Sequence, residues 1–576
     1  MAAINFDVQF IFAGGIDYEQ KGGIMIGTDV PVIPVPYLTE ASNVLFEGQQ
    51  TIRSIGGALV ASQTSTFSTV GTLTNSPSAL LPVNSAYAGV DFYTLHPLDN
   101  TLSSWAILDN NDVSGDTIEL KANTAVLAFS ADSEWTVVQF EGKDLLMSDG
   151  VGELPILWDP ATTSAAVWDP AEPDLSLGVV YNNRVFAAGD PLRPSRLYYS
   201  DLNDPAAGYA ANFISIDPYG GSKITALKQY RGRLMIFKED KIYVLSGRTP
   251  GTFALDIFTT EVGAANQKAV VDMGNDIAFV DNDGQIRTLA TTEQFGDFKN
   301  ALVTTPIQTW ISDNLYRSNL HRATLYADTA NNRVWMNLPT GPNALDRQAI
   351  VMDFVSARKF SFVDYVRAQH LVPVKGGSTN AAITRIIASE ANEFLLDLDI
   401  RGSERKEDFT GGVLTSTTYK ARALTPDIKI APMFGHNNIQ KASVSITAES
   451  ESPTSVISSS CSLFDPNTSF DLIWQRDIRL FETRTIDQMF GSRLGTFCIT
   501  GNTGAFLPDD GSVFILGASR LGGPRTIETY VELESSEFRR VAIGFEKESL
   551  NTGVQLHSIT VKFGTSANDS TENILI

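Results

Sequence analysis

The sequence predicts an all-β fold: a β-propeller with an N-terminal extended arm and a C-terminal β-sandwich-like domain. Three observations lead to this prediction. Gly, Ser, Thr, Asn and Asp are abundant, which favours short strands and turns over helices. A two-strand hairpin pattern recurs through the middle of the chain. The C-terminal part alternates apolar and polar side chains, as half-buried strands do.

The recurring pattern is clearest at residues 229–245, QYRGRLMIFKEDKIYVL, which reads as strand, polar turn and strand. Five further copies place their leading apolar residues at intervals of 40, 49, 43, 57 and 52 residues along the chain. A strand-only repeat of roughly 40–50 residues is typical of propeller blades. Residues 91–108 are a candidate seventh copy, so we expect about six to eight blades over residues 86–425. The leading residues are Leu145, Val185, Leu234, Ile277, Val334 and Ile386.

The two ends of the chain do not follow this repeat. Residues 1–85 are expected to form an extended arm, which adds strands to another sheet, and a linker rich in Ser and Thr. Residues 426–576 are expected to form a β-sandwich or platform domain, because several stretches alternate at period two. One helix is expected inside the propeller at 305–317, where Pro306 suits the first helical position.

The charge balance limits the functions open to the chain. It has 43 basic and 66 acidic residues, a net charge of −23. Proteins that grip nucleic acid use Lys and Arg to displace counterions from phosphates, so such a grip over most of this surface is excluded. A solvated acidic surface explains the charge, and a surface that repels DNA is the sharper alternative.

No motif in the sequence points to catalysis, a cofactor or a metal. A GxSxG elbow, a P-loop and an HExxH motif are all absent. DNDGQ (281–285) begins like a calcium loop, but Thr292 stands where the twelfth, acidic ligand belongs, so a hairpin turn is the better interpretation. Cys461 and Cys498 lie outside any CxxC pair, and their pairing is left open. We therefore expect no catalytic, cofactor-binding or metal-binding residues and assign no channel or gate residues.

The N-terminus predicts synthesis in the cytoplasm without membrane insertion. It carries Asp7 and has no basic residue before Lys21, unlike the charged start of a secretion signal. No apolar run in the sequence approaches the roughly 20 residues that a membrane-spanning helix needs.

Three stretches resemble the tail-nozzle proteins of short-tailed bacteriophages (podoviruses), also called tail tubular protein B or packaged-DNA stabilisation proteins. The first, VPYLTEASNVLFEGQQTIRSIGG, carries Asn43, Arg53 and Gly56. The second runs from NRVFAAGDPLRPSRLYYSDLNDP to GSKITALKQYRGRLMIFKEDKIYVL and resembles the propeller blades of that family. The third, FRRVAIGFEKESLNTGVQLHSITVKFG, is similar to its closing strands. The matching positions of the second stretch are Arg184, Ser200, Asp201 and Arg233.

The resemblance implies a non-enzymatic structural protein of the virion tail. It implies a homo-hexameric ring below the tail adaptor protein, near tail fibre, spike or needle proteins. Packaged double-stranded DNA would be retained at a central channel and pass through it, transiently and non-specifically, during genome ejection. An acidic channel wall would let phosphates slide without sticking.

Two alternatives from other functional classes stay open. A glycan-binding adhesin of a tail or surface structure could use Tyr198, Tyr199 and Tyr230 to stack on sugars, although their alternation favours a place in the blade core. A glycan hydrolase on a propeller would need two carboxylates brought together, and the sequence alone cannot show such a pair.

Overall fold

The computed structural model describes the chain in segments. All statements below concern these residues: 5–16, 24–26, 32–47, 51–63, 79–82, 92–97, 105–110, 119–124, 134–150, 153–159, 164–167, 172–274, 276–289, 302–343, 346–354, 359–368, 370–375, 384–390, 394–400, 405–410, 413–424, 428–430, 437–450, 469–476, 481–485, 498–500, 505–507, 526–532, 537–538, 540–548 and 552–565.

The chain begins with seven strands that precede the repeating units. They are β1 (Asn5–Ile16), β2 (Ile24–Ile26), β3 (Val32–Leu38), β4 (Glu40–Ser42), β5 (Val44–Glu47), β6 (Thr51–Ser54) and β7 (Gly57–Gln63).

Seven antiparallel units, called units 1 to 7, then follow in chain order. Units 1 to 3 are β8 (Ala79–Pro82), β9 (Phe92–Pro97), β10 (Trp105–Asn110), β11 (Glu119–Thr124); β12 (Trp135–Phe140), β13 (Lys143–Ser148), β14 (Ile156–Asp159), β15 (Ser164–Val167); and β16 (Leu177–Tyr181), β17 (Arg184–Ala188), β18 (Arg196–Tyr199), β19 (Phe213–Ser215). Units 4 and 5 are β20 (Ile224–Tyr230), β21 (Arg233–Lys238), β22 (Ile242–Ser246), β23 (Ala254–Thr259); and β24 (Val270–Asp272), β25 (Ile277–Val280), β26 (Ile286–Thr288).

Units 6 and 7 complete the series. Unit 6 is β27 (Thr324–Asp328), β28 (Arg333–Pro339), β29 (Arg347–Asp353) and β30 (Lys359–Val363). Unit 7 is β31 (His370–Lys375), β32 (Thr384–Ser389) and β33 (Phe394–Ile400), and β7 pairs with β33 as its fourth strand.

The units form a closed β-propeller. From unit 2 to unit 7 the first strand of each unit packs against the first strand of the next, and β31 of unit 7 packs against β8 of unit 1. Contact between β11 and β15 joins units 1 and 2. Every predicted hairpin, including the candidate seventh, is the pair of second and third strands of a different unit. The predicted all-β propeller is therefore confirmed, and the pairing of the described strands gives seven units.

Strand alternation explains how neighbouring units adhere. On β17, Phe186 packs with unit 4, whereas Val185 and Ala187 pack with unit 2. On β21, Ile236 packs with unit 3 and Met235 with unit 5. Because both faces of these middle strands are buried, their sequences read as continuous apolar runs rather than alternating ones.

Tight turns join the first and second strands of units 2, 3 and 4. Each loop has two residues, and both residues have positive φ in all three. This is the type I′ geometry that matches the twist of a hairpin, and it favours Asn and Gly. The turn residues are Glu141-Gly142, Asn182-Asn183 and Arg231-Gly232.

Short helices lie in the connections. The predicted helix at 305–317 is present as a 3-10 turn, Thr305–Ile307, followed by α1 (Gln308–Asn314). Further 3-10 helices are Pro250–Thr252, Gln267–Ala269 and Arg317–Arg322. No helix among the described residues is long and apolar enough to cross a membrane.

The remaining strands follow unit 7. They are β34 (Lys406–Thr410), β35 (Val413–Thr417), β36 (Lys420–Leu424), β37 (Ile428–Ile430), β38 (Asn437–Ser450), β39 (Ser469–Arg476), β40 (Phe481–Thr485), β41 (Cys498–Thr500), β42 (Ala505–Leu507), β43 (Thr526–Glu532), β44 (Glu537–Phe538), β45 (Arg540–Glu548) and β46 (Thr552–Thr565).

The two chain ends share their sheets, and we call these sheets the platform. One sheet has the order β3-β1-β46-β38-β43, with β6 also pairing to β46. The other runs β2-β37-β45-β36-β4 and continues through β30 into unit 6. Strands of 426–576, which were expected to form a domain of their own, thus pair with strands of the N-terminal arm: β46 pairs with β1 and β6, and β37 pairs with β2.

Two strands expected in the arm and linker lie in propeller sheets instead. β7 pairs antiparallel with β33, so a strand from the N-terminal region completes the last unit. β8 is the first strand of unit 1. The difference arises because closing a ring requires pairing between distant parts of the chain, which a local repeat pattern does not contain.

Candidate functional site

One end of the propeller gathers the loops that can form a site. In an antiparallel unit, the start of the first strand lies at the same end as the loop between the second and third strands. Backbone hydrogen bonds show this directly: Ser176 N donates to Ala188 O at 3.0 Å, and Ile224 N donates to Pro194 O at 3.0 Å. We call this end the connector face.

A cavity of about 650 Å³ lies on the connector face, and we call it the mouth cavity. Its walls come from the first-strand starts and loops of units 2, 3 and 4 and from the segments that lead into units 5 and 6. A volume of this size falls within the range of about 300–1,000 Å³ typical of small-ligand sites. The cavity therefore lies where several units meet.

Glu134 is the most firmly held charge in this cavity. Its two carboxylate oxygens accept hydrogen bonds from Arg347 Nη2 at 2.6 Å and from Lys268 Nζ at 2.8 Å. Glu134 and Arg347 are both buried. Two cations thus neutralise one carboxylate, which ties unit 2 to the segments of units 5 and 6 and leaves Glu134 little capacity for chemistry.

Other polar groups of the wall are also occupied by contacts within the chain. Tyr198 Oη donates to Asp190 Oδ2 at 2.6 Å, and burial together with this contact raises the pKa of Tyr198 to about 12. Asn266 Nδ2 donates to the carbonyls of Leu320 and Ala323, both at 2.8 Å. These bonds fix the loops around the cavity and require no ligand.

Asp149 and His321 both line the cavity, and the charge of each influences the pKa of the other. Asp149 and His321 are both exposed to solvent but partly enclosed by the wall. This partial loss of water raises the pKa of Asp149, whose Oδ1 accepts one hydrogen bond, from Glu134 N at 2.7 Å. It lowers the pKa of His321, against the nearby charge of Asp149, which favours the neutral imidazole. Neither group is positioned by a second side chain as a catalytic acid or base would be.

A second cluster joins the arm to the propeller, and we call it the junction cluster. Arg53 binds Asp399 through two nearly parallel hydrogen bonds, at 2.7 and 2.9 Å, and donates through Nε to Glu47 at 2.8 Å. Arg333 of unit 6 lies 3.6 Å from both carboxylates. The four charges pair off in the interior, where each would be costly if left alone.

The other two residues of the first resembling stretch belong to the same junction. Asn43, at φ 52°, donates through Nδ2 to Lys420 O at 2.8 Å and accepts from Asp364 N at 2.7 Å. Gly56 N donates to Asp399 Oδ1 at 2.7 Å, and a Cβ at Gly56 would lie 2.4 Å from a backbone atom of Asp399. Asn43, Arg53 and Gly56 therefore each fasten the arm to unit 6 or unit 7.

The positions of the second resembling stretch have structural contacts. Arg184 Nη1 donates to Ser200 O at 2.6 Å, and Ser200 Oγ accepts from Val185 N at 3.0 Å. Asp201 accepts from Asn212 Nδ2 at 2.9 Å. Arg233 begins β21 with an exposed side chain. These residues hold the hairpin of unit 3 and the edge of unit 4 and do not converge on a site.

Two of the three tyrosines considered for sugar stacking have buried side chains. Tyr198 and Tyr199 are buried in the core between units. Tyr230 is half-buried, with the Arg231 guanidinium 4.8 Å from its ring centre. An adhesin that stacks sugars on Tyr198 or Tyr199 would need these units to separate.

The DNDGQ segment is a hairpin turn between β25 and β26, as its residues predict. Asp281 Oδ1 accepts from the backbone N of Asp283 at 2.9 Å and of Gln285 at 2.8 Å, and Oδ2 pairs with Arg287 at 2.6 Å. Within the described ranges, no three acidic, His or Cys side chains lie close enough together to hold a metal ion. Cys461 lies outside the described residues.

Sequence reasoning missed Glu134 and Asp399. Asp399 had a visible signal, since it stands in FLLDLDI, an apolar strand in which a charge must find a partner. No sequence signal marked Glu134, because its partners Lys268 and Arg347 lie far along the chain.

The fold and these two sites define a β-propeller protein that is locked to a two-sheet platform by a buried ion cluster. No family model matches the chain, and no curated protein matches it. A solved structure described as "YCF48 bound to D1 peptide" is 10% identical, with a TM-score of 0.33, and the match covers 59% of this chain and 94% of that chain.

A second solved structure is PorZ, described as an essential bacterial surface component of the type-IX secretion system of Porphyromonas gingivalis. It is 10% identical, with a TM-score of 0.32, and the match covers 74% of this chain and 47% of that chain. Both are β-propeller proteins. The assignment of this chain to the propeller fold rests on its own strand pairing.

Proposed function

We propose that this chain is a structural protein of a virion tail, a subunit of the nozzle ring of a short-tailed bacteriophage. In this proposal the ring retains packaged DNA, passes it during genome ejection and catalyses no reaction. The support begins with the three resembling stretches, which lie in the arm, in units 3 and 4 and in the closing strands. A propeller fold alone does not determine a function. The proposal therefore also uses the contacts that join the arm to the propeller.

The observation that carries the proposal is the junction cluster. The first resembling stretch, 35–57, supplies Arg53 and Glu47, and they pair with Asp399 of unit 7 and lie beside Arg333 of unit 6. The platform sheet also continues through β4 and β30 into unit 6 without a linker. A body joined in this way resists bending, which suits a subunit that holds pressurised DNA.

The charge of the chain supports the same proposal. With a net charge of −23 per chain, six copies around a channel would present a strongly negative wall. Like charge repels the phosphates of DNA and prevents the counterion release that drives non-specific binding. DNA would therefore move past the wall without being held by it.

The proposal predicts a defect in DNA retention when the chain is removed from the virus that encodes it. Particles that assemble without it should package DNA and then lose it, and adding back the intact chain should restore full, infectious particles. The fraction of DNA-filled heads, counted by electron microscopy and sedimentation, measures the effect. Particles that keep their DNA and remain infectious without the chain would contradict the proposal.

A further inference from the structure

Five polar side chains in the wall of the mouth cavity are not fully occupied by contacts within the described part of the chain. The hydroxyls of Thr136 and Ser176 and the imidazole of His321 have no hydrogen-bond partner there. One oxygen of Asp149 is free, because only Oδ1 is engaged. Lys223 has one weak contact, with Glu239 at 3.9 Å. These groups differ from Glu134 and Asp190, whose partners are fixed.

The free groups are accessible from solvent. Asp149, Lys223 and His321 are exposed on the connector face. They come from different units, and the bonds of Glu134 and Asn266 hold the loops between them in place. The cavity is therefore a preformed and open site whose unused hydrogen-bonding capacity is directed at whatever enters it.

The mixture of free groups selects a class of ligand. A carboxylate only accepts hydrogen bonds, an ammonium only donates them, and hydroxyls and a neutral imidazole do both. A ligand that both donates and accepts at several neighbouring positions complements this set, and sugar hydroxyls have that property. A charged ligand of either sign would meet one like charge, because the wall carries the free carboxylate oxygen of Asp149 and the ammonium of Lys223.

The loops that supply wall residues also carry exposed apolar side chains. Leu192, 90% exposed, lies between the wall residues Pro191 and Pro194. Tyr219, 99% exposed, lies on the connector that ends at Lys223. Sugar rings have apolar faces that pack against such side chains, and aromatic rings pair an apolar body with a polar tip.

We propose that the mouth cavity binds a short, neutral saccharide. Its hydroxyls would engage Asp149, Lys223, Ser176 and His321, and its outer ring would pack against the exposed apolar side chains of the wall loops. Every residue of the site belongs to one subunit, so the proposal goes beyond the nozzle function and does not depend on ring assembly.

The experiment uses the full chain and an array of defined neutral oligosaccharides. The labelled protein is applied to the array, and its affinity for the strongest sugar is then measured by calorimetry. Asp149→Asn keeps an oxygen that can accept from Glu134 N but removes the charge, and we expect it to weaken binding at least tenfold. Lys223→Ala changes a side chain that is 63% exposed, so it should leave the fold intact while also weakening binding.

The matched control is Asp256→Asn, which removes an exposed carboxylate from the outer strand of unit 4, away from the cavity. It should bind like the unchanged protein. The proposal is overturned if no neutral saccharide binds at millimolar concentration. It is also overturned if Asp149→Asn and Lys223→Ala both bind as tightly as the unchanged protein, or if Asp256→Asn loses as much affinity as they do.

Discussion

Arg53→Ala is expected to lower the free energy of unfolding by about 3–5 kcal/mol, the usual cost of removing one partner from a buried ion pair. Burial alone would raise the pKa of Asp399, but the charge and hydrogen bonds of Arg53 outweigh it and hold that pKa below its usual range. Without Arg53, the carboxylates of Glu47 and Asp399, only 19% and 15% exposed, would share Arg333, which lies 3.6 Å from each.

The midpoint of chemical denaturation, compared with that of the unchanged chain, measures this effect. Arg53→Lys should fall between the two, because lysine keeps the charge but cannot form the paired hydrogen bonds to Asp399. Arg248→Ala is the control, since that side chain is exposed on a loop. If Arg53→Ala and Arg248→Ala shift the midpoint equally, the junction cluster does not hold the arm to the propeller.

Asp144→Asn is expected to stabilise the protein at and above neutral pH. Asp144 is buried on β13, and burial raises its pKa to about 7, against a hydrogen bond from Gln139 that lowers it. Between about pH 4 and pH 7 the native state keeps a proton that the unfolded chain has released, so stability falls as pH rises through that window. Above pH 7, the loss of this proton has lowered the free energy of unfolding by about 4 kcal/mol relative to its value below pH 4.

Thermal or chemical unfolding of both proteins between pH 4 and pH 8 measures this difference. We expect the asparagine variant to gain stability over the unchanged chain as pH rises from about 4 to about 7, with a constant gap above that. The comparison isolates Asp144 from other buried carboxyls, because these are the same in both proteins. Parallel stability curves, or a gap that narrows as pH rises, would contradict the raised pKa.

The propeller could be predicted from the sequence because each repeating hairpin is formed by residues that are close together in the chain. In units 2 to 6 the second and third strands are joined by a short loop, and both faces of the second strand are buried, so apolar runs and turn residues recur. RLMIF (233–237) shows this, since alternate residues of one short run serve two neighbouring units. The number of units was harder to predict, because unit 7 takes its fourth strand from β7, which lies outside the local repeat.

The junction cluster and the mouth cavity could not be predicted from the sequence, because their residues are distant in the chain. Arg53 and Asp399 are 346 positions apart, and Glu134 and Arg347 are 213 apart. No periodicity links such residues, and only the closing of the ring brings them together. The same reason explains the platform, where β1 pairs with β46 at the other end of the chain.

The proposed nozzle requires that six copies of this chain form a ring around a DNA channel. The measurement that tests it most directly is electron microscopy of the purified chain, alone and assembled on its tail adaptor, together with its mass in solution. We expect a six-fold ring with a central hole whose wall is mainly acidic. A chain that remains monomeric in both states, or a ring whose channel is lined mainly by Lys and Arg, would contradict it.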